Sequence, residues 1–212
     1  MDINQTEEQQ VEQLKKIWNE YGNAIIAGLV LGFAGFIGFG YYKDSKLNQE
    51  LAVSENFQKV IALVEDGDEA FQSRGQAFIK NNAGTNYASL TALALAKDSA
   101  EHKDWAQVET YLNQAIENTT DKGIKSLAKL RLARVQIETK QIELALNTLS
   151  GEFPAAFTAE LEEIKGDAYL LNGDKDNART AYQAALDASA AGTTPVLQMK
   201  YDNLAEPIVL TK

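Results

Sequence analysis

A run of 22 residues without a charged side chain, from Tyr21 to Tyr42, is the strongest hydrophobic pattern in the chain. It lies between Glu20 and Lys43. An α-helix of this length rises about 33 Å, roughly the thickness of the hydrocarbon core of a bilayer. The pattern therefore predicts one transmembrane helix over 21–42, with tyrosines at headgroup depth at both ends.

Two other kinds of segment can contain an apolar run near the N-terminus: a cleaved signal peptide and a buried helix of a globular domain. A signal peptide has a basic start and a small-residue cleavage site. Here segment 1–20 is acidic, and the run ends in bulky Phe39, Tyr41 and Tyr42. Buried globular helices rarely stay uncharged for so long. The pattern favours a retained membrane anchor after a short N-terminal segment, 1–20.

Helical spacing continues beyond the span. Apolar residues recur every three or four positions from Asp44 to Glu65, which predicts an amphipathic helix that continues the span out of the bilayer. A second helix is predicted from about Glu69 to Lys80, with Asp68 as its N-cap. Segment 43–82 is therefore interpreted as connecting helices.

The C-terminal half contains a repeating pattern. Gly166 and Tyr169 are followed by Gly173, then by Ala178 and Tyr182. This order of small residue, aromatic residue, turn glycine, alanine and aromatic residue resembles the tetratricopeptide repeat. Small residues let the two helices of a hairpin come close, and the glycine supplies the turn between them.

Earlier copies of the pattern lie at offsets of 33 and a further 37 residues. They predict hairpins over about 123–149, with Lys140 in place of the turn glycine, and over about 87–118, with the turn near 102–104. Three hairpins are the usual minimum for a solenoid, since one hairpin cannot bury its own apolar face. An ordinary helical bundle with coincidental spacing is the alternative for 83–190.

The last predicted element is a short apolar helix at 195–204, which would cap the solenoid, and Pro207 marks a tail. Segment 191–212 is therefore interpreted as cap and tail. The complete pattern predicts an all-α chain, in which a single transmembrane helix is followed by a tetratricopeptide-repeat-like α-solenoid.

Charge and composition limit the partners and the chemistry that can be expected of this chain. The formal net charge is −10, and because residues 1–43 hold five acidic residues and three lysines, the remaining chain carries −8. Nucleic acid and anionic lipid headgroups both require basic patches, so neither is an expected partner. There is no cysteine, and the one histidine, His102, lies in a polar turn. With no catalytic or phosphate-binding motif, we expect no enzyme activity, cofactor, metal or small-molecule substrate.

The sequence only weakly indicates on which side of the membrane the C-terminal domain lies. Lys15 and Lys16 precede the span, and Lys43 and Lys46 follow it, so the positive-inside rule gives nearly a tie. The short head favours translocation of the long C-terminal domain out of the cytoplasm.

Two candidate interaction surfaces follow from the pattern. Gly28 and Gly32 form a GxxxG motif and Gly35 lies on the same side, which predicts close packing against another transmembrane helix, either a second copy or another protein. Glycine is also simply common in transmembrane helices. The second candidate is the face formed by the first helix of each hairpin, called here the first-helix face. Its predicted members are Leu90, Leu93, Lys97, Leu127, Leu130, Arg134, Ile137, Glu160, Glu163, Asp167 and Leu170.

The first-helix face would offer an apolar floor with an acidic end to a peptide or helix rich in apolar and basic residues. The alternative is that its leucines belong to the core, or that helices over 44–80 cover it.

The order of several short segments resembles one known family. These are VEQLKKIW at 11–18, GFGYY at 38–42, LRLARVQ at 130–136, GDA at 166–168 and QMKYDNL at 198–204. Together they resemble the YfgM family of Gram-negative bacteria, the ancillary subunits of the SecYEG translocon. The likeness covers nearly the whole chain.

The resemblance implies a single-pass inner-membrane protein with its N-terminus in the cytoplasm and its repeat domain in the periplasm. It also implies association with SecYEG, with the membrane-anchored chaperone PpiD and with newly exported chains. The expected function is a non-enzymatic adaptor. The alternative is a membrane-tethered regulator that sequesters a stress-response signalling protein, with segment 1–20 as the candidate contact.

Overall fold

The computed structural model describes the backbone of residues 7–65, 70–189 and 195–204, and over these ranges it contains helices and turns but no β-strand. The N-terminal helices are α1 (Glu7–Glu65) and α2 (Ala70–Asn81). Three helical pairs follow. They are α3 (Asn86–Glu101) with α4 (Trp105–Glu117), α5 (Lys122–Glu138) with α6 (Ile142–Thr148), and α7 (Thr158–Leu171) with α8 (Lys175–Ala188). A 3₁₀ turn, Ala155–Phe157, precedes α7, and α9 (Pro195–Asp202) ends the described chain. The predicted all-α class is confirmed.

The chain divides into two compact units, residues 1–52 and 53–212. In the first unit every large apolar side chain from Val11 to Tyr42 is exposed, and Phe36 and Tyr41 are 78% and 80% exposed. Helix α1 includes a stretch long and apolar enough to cross a membrane, none of which is buried within the protein. Such exposure is compatible with a helix whose solvent is lipid. The helix predicted to continue the span over 44–65 is confirmed, since α1 runs without a break from Glu7 to Glu65.

The second unit begins with the C-terminal part of α1, which belongs to its core. Val60 is buried there, and the ring of Phe57 lies 6.1 Å from Phe78 in α2 and 5.2 Å from Tyr87 in α3, centroid to centroid. Tilted aromatic pairs at these distances stabilise a core beyond their buried area. The connecting helices therefore pack against the first hairpin.

The three hairpins turn in the same way. Lys103, Lys140 and Gly173 all have left-handed backbone conformations, with φ of 60°, 66° and 81°. In each turn the next residue donates its N–H to the carbonyl five residues back, with Gln141 bonding to Gln136 at 2.7 Å. This is the hydrogen bond of a Schellman motif, which satisfies the last carbonyls of a helix. The turns lie where the repeat pattern predicted them.

The predicted cap is present as α9. Its Leu197 is buried in a cluster with Ala178, Tyr182 and Ala185 of α8. The predicted N-cap Asp68 and the tail around Pro207 lie outside the described residues.

Candidate partner-binding surface

The last hairpin is closed by contact between a glycine and a tyrosine ring. A Cβ built on Gly166 of α7 would lie 2.4 Å from ring carbons of Tyr182 in α8. Only glycine leaves room for the ring, which is fully buried. The predicted role of Gly166 in close helix approach is therefore confirmed, and its partner is Tyr182.

The Tyr182 hydroxyl donates a hydrogen bond of 2.7 Å to Oδ1 of Asp167. Burial, and then the hydrogen bond to the Asp167 carboxylate, raise the pKa of Tyr182 well above its ordinary value. The phenol therefore stays protonated and holds the carboxylate in place. Asp167, predicted to be at the acidic end of a partner surface, is thus also a structural residue.

Lys200 of α9 lies across the same acidic end. Its Nζ donates to Glu163 Oε1 at 2.8 Å and to Asp167 Oδ2 at 2.9 Å. Burial alone lowers the pKa of Lys200, but hydrogen bonds to the two carboxylates outweigh it and raise that pKa. The acid groups predicted to meet a basic partner are therefore occupied by a lysine of the same chain.

A second set of contacts holds α9. Arg179 of α8 donates to the Leu204 carbonyl at 2.9 Å and to the Tyr201 hydroxyl at 3.1 Å. Its guanidinium also lies 4.7 Å from the centre of the Tyr201 ring, within the range of a cation–π contact. Helix α9 is thus fixed to both helices of the last hairpin.

The remaining members of the first-helix face fall into three groups. Leu93 and Leu130 are buried, 5% and 0% exposed, so they lie in the core and offer no surface to a partner. Leu127 and Ile137 are half-buried against the core clusters. Accessible side chains are those of Leu90, Leu170, Lys97 and Arg134.

The core positions have a simple cause. Leu130 shares its cluster with Leu149 of α6 and Ile164 of α7, because a first helix in the middle of the stack has neighbours on two sides. For Leu93 and Leu130 the alternative reading, that they belong to the core, is therefore the one that the structure supports. The accessible part of the face consequently consists of two separated leucines, Leu90 and Leu170, together with Lys97 and an ion pair between Arg134 Nη1 and Glu160 Oε1 at 2.8 Å.

Three residues of the hairpin domain were not predicted to pair or to be exposed. Lys200 was treated as part of an apolar cap, although it is a lone cation facing two acid groups four residues apart on α7. Leu144 and Leu171 are 44% and 55% exposed and were not considered. Leu144 follows a turn and Leu171 precedes one, and near a turn the helical period predicts exposure less well.

The structure shows no packing partner for the transmembrane glycines among the residues it describes. A Cβ built on Gly28, Gly32 or Gly35 meets nothing within 4 Å among the described residues. Their packing against another helix stays a prediction.

Comparison with known proteins identifies the family. The family described as a tetratricopeptide repeat-like domain matches residues 15–206. The ancillary SecYEG translocon subunit of Escherichia coli is 30% identical over 206 residues, covering 97% of this chain and all of that protein. Proteins of the same name from Haemophilus influenzae and Neisseria gonorrhoeae are 31% and 30% identical, each covering 93% of this chain and 97% of the relative.

No solved structure matches the chain with statistical significance. The helical hairpins agree with a tetratricopeptide repeat-like domain. The chain belongs to the tetratricopeptide repeat-like family of ancillary SecYEG translocon subunits.

Proposed function

We propose that this chain is a non-enzymatic, single-pass adaptor of the bacterial inner membrane that works at the Sec translocon. Segment 1–20 lies in the cytoplasm, and the hairpin domain lies in the periplasm, where it binds a chaperone of the PpiD type or newly exported protein. The observation that carries the proposal is the near-full-length relationship to proteins named ancillary SecYEG translocon subunits. The exposed apolar part of α1 supports the membrane anchor.

The first test addresses orientation. Alkaline phosphatase, which is active only outside the cytoplasm, is fused after Leu204, and a matched fusion is made after Asn19, before the span. Activity is expected from the first fusion, and the second, which lacks the span, gives the inactive cytoplasmic background. An inactive Leu204 fusion would put the hairpins in the cytoplasm and remove the export role.

The second test addresses the partner surface. We propose that the accessible part of the first-helix face, around Leu90 and Leu170, contacts the partner. A photo-crosslinking residue replaces Leu170 or Leu90 in turn, with Leu144 of α6 as the control, because its side chain is 44% exposed but lies on a second helix. Crosslinks to translocon, chaperone or exported chain are expected from the first two positions. Equal yield from Leu144 would mean that the contact is not specific to this face.

The transmembrane glycines are proposed to pack against a helix of the translocon or of an associated protein. Replacing Gly28 and Gly32 by leucine fills that side and should abolish co-purification with SecYEG. Gly40→Leu is the control, since position 40 lies about a third of a turn away on the helix. Unchanged co-purification of the double variant would locate the contact elsewhere.

One feature favours the regulatory alternative. The head of α1 has an exposed apolar stripe with Leu14 71%, Ile17 52% and Trp18 57% exposed, beside Val11. A stripe of this kind suits a cytoplasmic helix or groove. Deletion of residues 2–16 separates the two functions: the adaptor retains its translocon association, and a regulator loses control of its signalling protein.

A further inference from the structure

A cleft of about 460 Å³ opens between the first half of α5 and the segment that joins α6 to the 3₁₀ turn. Its walls include Lys122, Lys125, Ser126, Lys129, Glu152 and Phe153. It lies about a third of a turn around α5 from the members of the first-helix face on the same helix. A ligand there would leave that face free.

The charge of the cleft is opposite to that of the protein. The chain beyond residue 43 carries a formal charge of −8, yet three lysines spaced at i, i+3 and i+7 line this cleft with one carboxylate, Glu152. Among the residues that the structure describes, none of these three lysines forms an ion pair with an acidic group. A cluster of unpaired ammonium groups repels itself and is stabilised by an anion.

A hydroxyl group lies in the same wall of the cleft. Ser126 is only 3% exposed as a whole residue, but its hydroxyl is not among the buried polar atoms left without a hydrogen-bond partner in the described ranges. Because Ser126 lines the cleft, its hydroxyl is available to a ligand atom there.

The cleft also has an apolar wall. The ring of Phe153 lies 5.6 Å from Nζ of Lys129, and Pro154 continues the surface. An inorganic anion would gain no binding energy from an apolar wall. A peptide with alternating acidic and apolar side chains would contact both the lysines and this wall. An anionic bilayer is disfavoured, because three lysines in a recess on an acidic domain do not make a basic surface.

We propose that this cleft binds an acidic peptide segment of a partner protein, with carboxylates at Lys125 and Lys129, a hydrogen bond from Ser126, and an apolar side chain on Phe153. The site is independent of the proposed translocon role and of the first-helix face.

The test uses the full-length chain in phosphatidylcholine nanodiscs and a fluorescein-labelled hexapeptide, Asp-Phe-Glu-Asp-Phe-Glu. Its amide counterpart, Asn-Phe-Gln-Asn-Phe-Gln, has the same shape without charge. Fluorescence polarisation should detect the acidic peptide and not the amide one. Lys125→Gln with Lys129→Gln should weaken binding about tenfold, since two charge contacts are lost.

Two single substitutions sharpen the result. Lys175→Gln, at an exposed lysine of α8, is the matched control and should leave affinity unchanged. Glu152→Gln removes the one repelling carboxylate and should strengthen binding about twofold to threefold. Thermal unfolding shows whether each variant remains folded.

Three results would overturn the proposal. They are equal affinity for the two peptides, equal affinity of the double lysine variant and the unaltered chain, and lysine-dependent binding of phosphatidylglycerol vesicles without binding of the acidic peptide. The last result would assign the cleft to lipid.

Discussion

The middle and last hairpins use the same frame with different side chains. At an offset of 33 residues, Gly166 and Tyr182 of the last hairpin correspond to Ala133 and Leu149 of the middle one. Ala133, Leu149 and Tyr182 are fully buried, and Gly166 is also buried and has no room for a Cβ. The last hairpin has the smaller residue on its first helix, Gly166, and the larger residue on its second helix, Tyr182. The repeat thus preserves the volume between its helices and leaves the residue types free.

The same frame also reverses a charge pair. Arg134 of α5 contacts Glu160 of α7, and Asp167 of α7, at the position equivalent to Arg134, contacts Lys200 of α9. The first ion pair joins α5 to α7, and the second joins α7 to α9. The earlier helix supplies the cation in the first pair and the carboxylate in the second. Helix α9 therefore occupies the place of a first helix in a fourth unit, and it closes the row.

The largest expected effect comes from exchanging the small residue. Gly166→Ala gains about 1 kcal/mol of helix propensity. It also places a methyl group 2.4 Å from a buried ring, and overpacking costs typically 1–3 kcal/mol or more. Because the methyl group would meet a rigid ring, we expect a cost at the upper end of that range and a net loss of about 2 kcal/mol in the free energy of unfolding, measured by urea titration of the circular dichroism signal.

The control tests whether volume is the cause. Adding Tyr182→Leu to Gly166→Ala recreates the pair of the middle hairpin. The double variant should be more stable than the sum of the two single changes predicts. If the stability effects of the two substitutions simply add, the two side chains do not compete for the same volume.

A smaller loss is expected at the ion pair. Lys200→Met leaves Glu163 and Asp167 half-buried without a positive charge, which should cost about 1 kcal/mol because both carboxylates keep some contact with water. Adding Glu163→Gln should recover part of the loss. Lys175→Met is the control, and if it reduces stability equally, the effect is not due to the pair.

Alkaline pH should weaken the last hairpin in particular. The unfolded tyrosine ionises near its ordinary pKa of 10.0, whereas folded Tyr182 has a raised pKa. Its contribution is therefore complete below pH 10 and is lost as the pH rises further. Lys200, whose pKa is also raised, acts in the same direction. Stability measured from pH 9 to 12 should fall less steeply in Tyr182→Phe, and an identical slope would contradict the assignment.

The smallest effects are expected at the turns, with opposite signs. Lys140→Gly relieves a left-handed conformation that costs a residue with a Cβ about 1 kcal/mol, so the variant should gain about 0.5 kcal/mol after the entropy of glycine is counted. Gly173→Ala introduces the same strain and should lose about 1 kcal/mol. Thermal unfolding of the two variants measures both, and a shift of the same sign would contradict a shared turn geometry.

Local patterns predicted the elements well because local physics determines them. Helical period, turn residues and small-residue spacing located the hairpins, including Lys140 at a glycine position. The predicted surface was less successful at individual residues. Leu93 and Leu130 lie in the core, and Lys200 covers Glu163 and Asp167. These outcomes depend on packing between units and on contacts 33 or more residues apart, which periodicity along one helix does not contain.

The aromatic contacts of Phe57 have a consequence for release from the membrane. Val53 to Leu63 are covalently part of the anchor helix and at the same time contribute to the interior of the hairpin domain. A protease that cuts before Val53 frees an intact body. A cut just after Leu63 removes Phe57 and Val60 from the core, so release at that point also destabilises the hairpin domain.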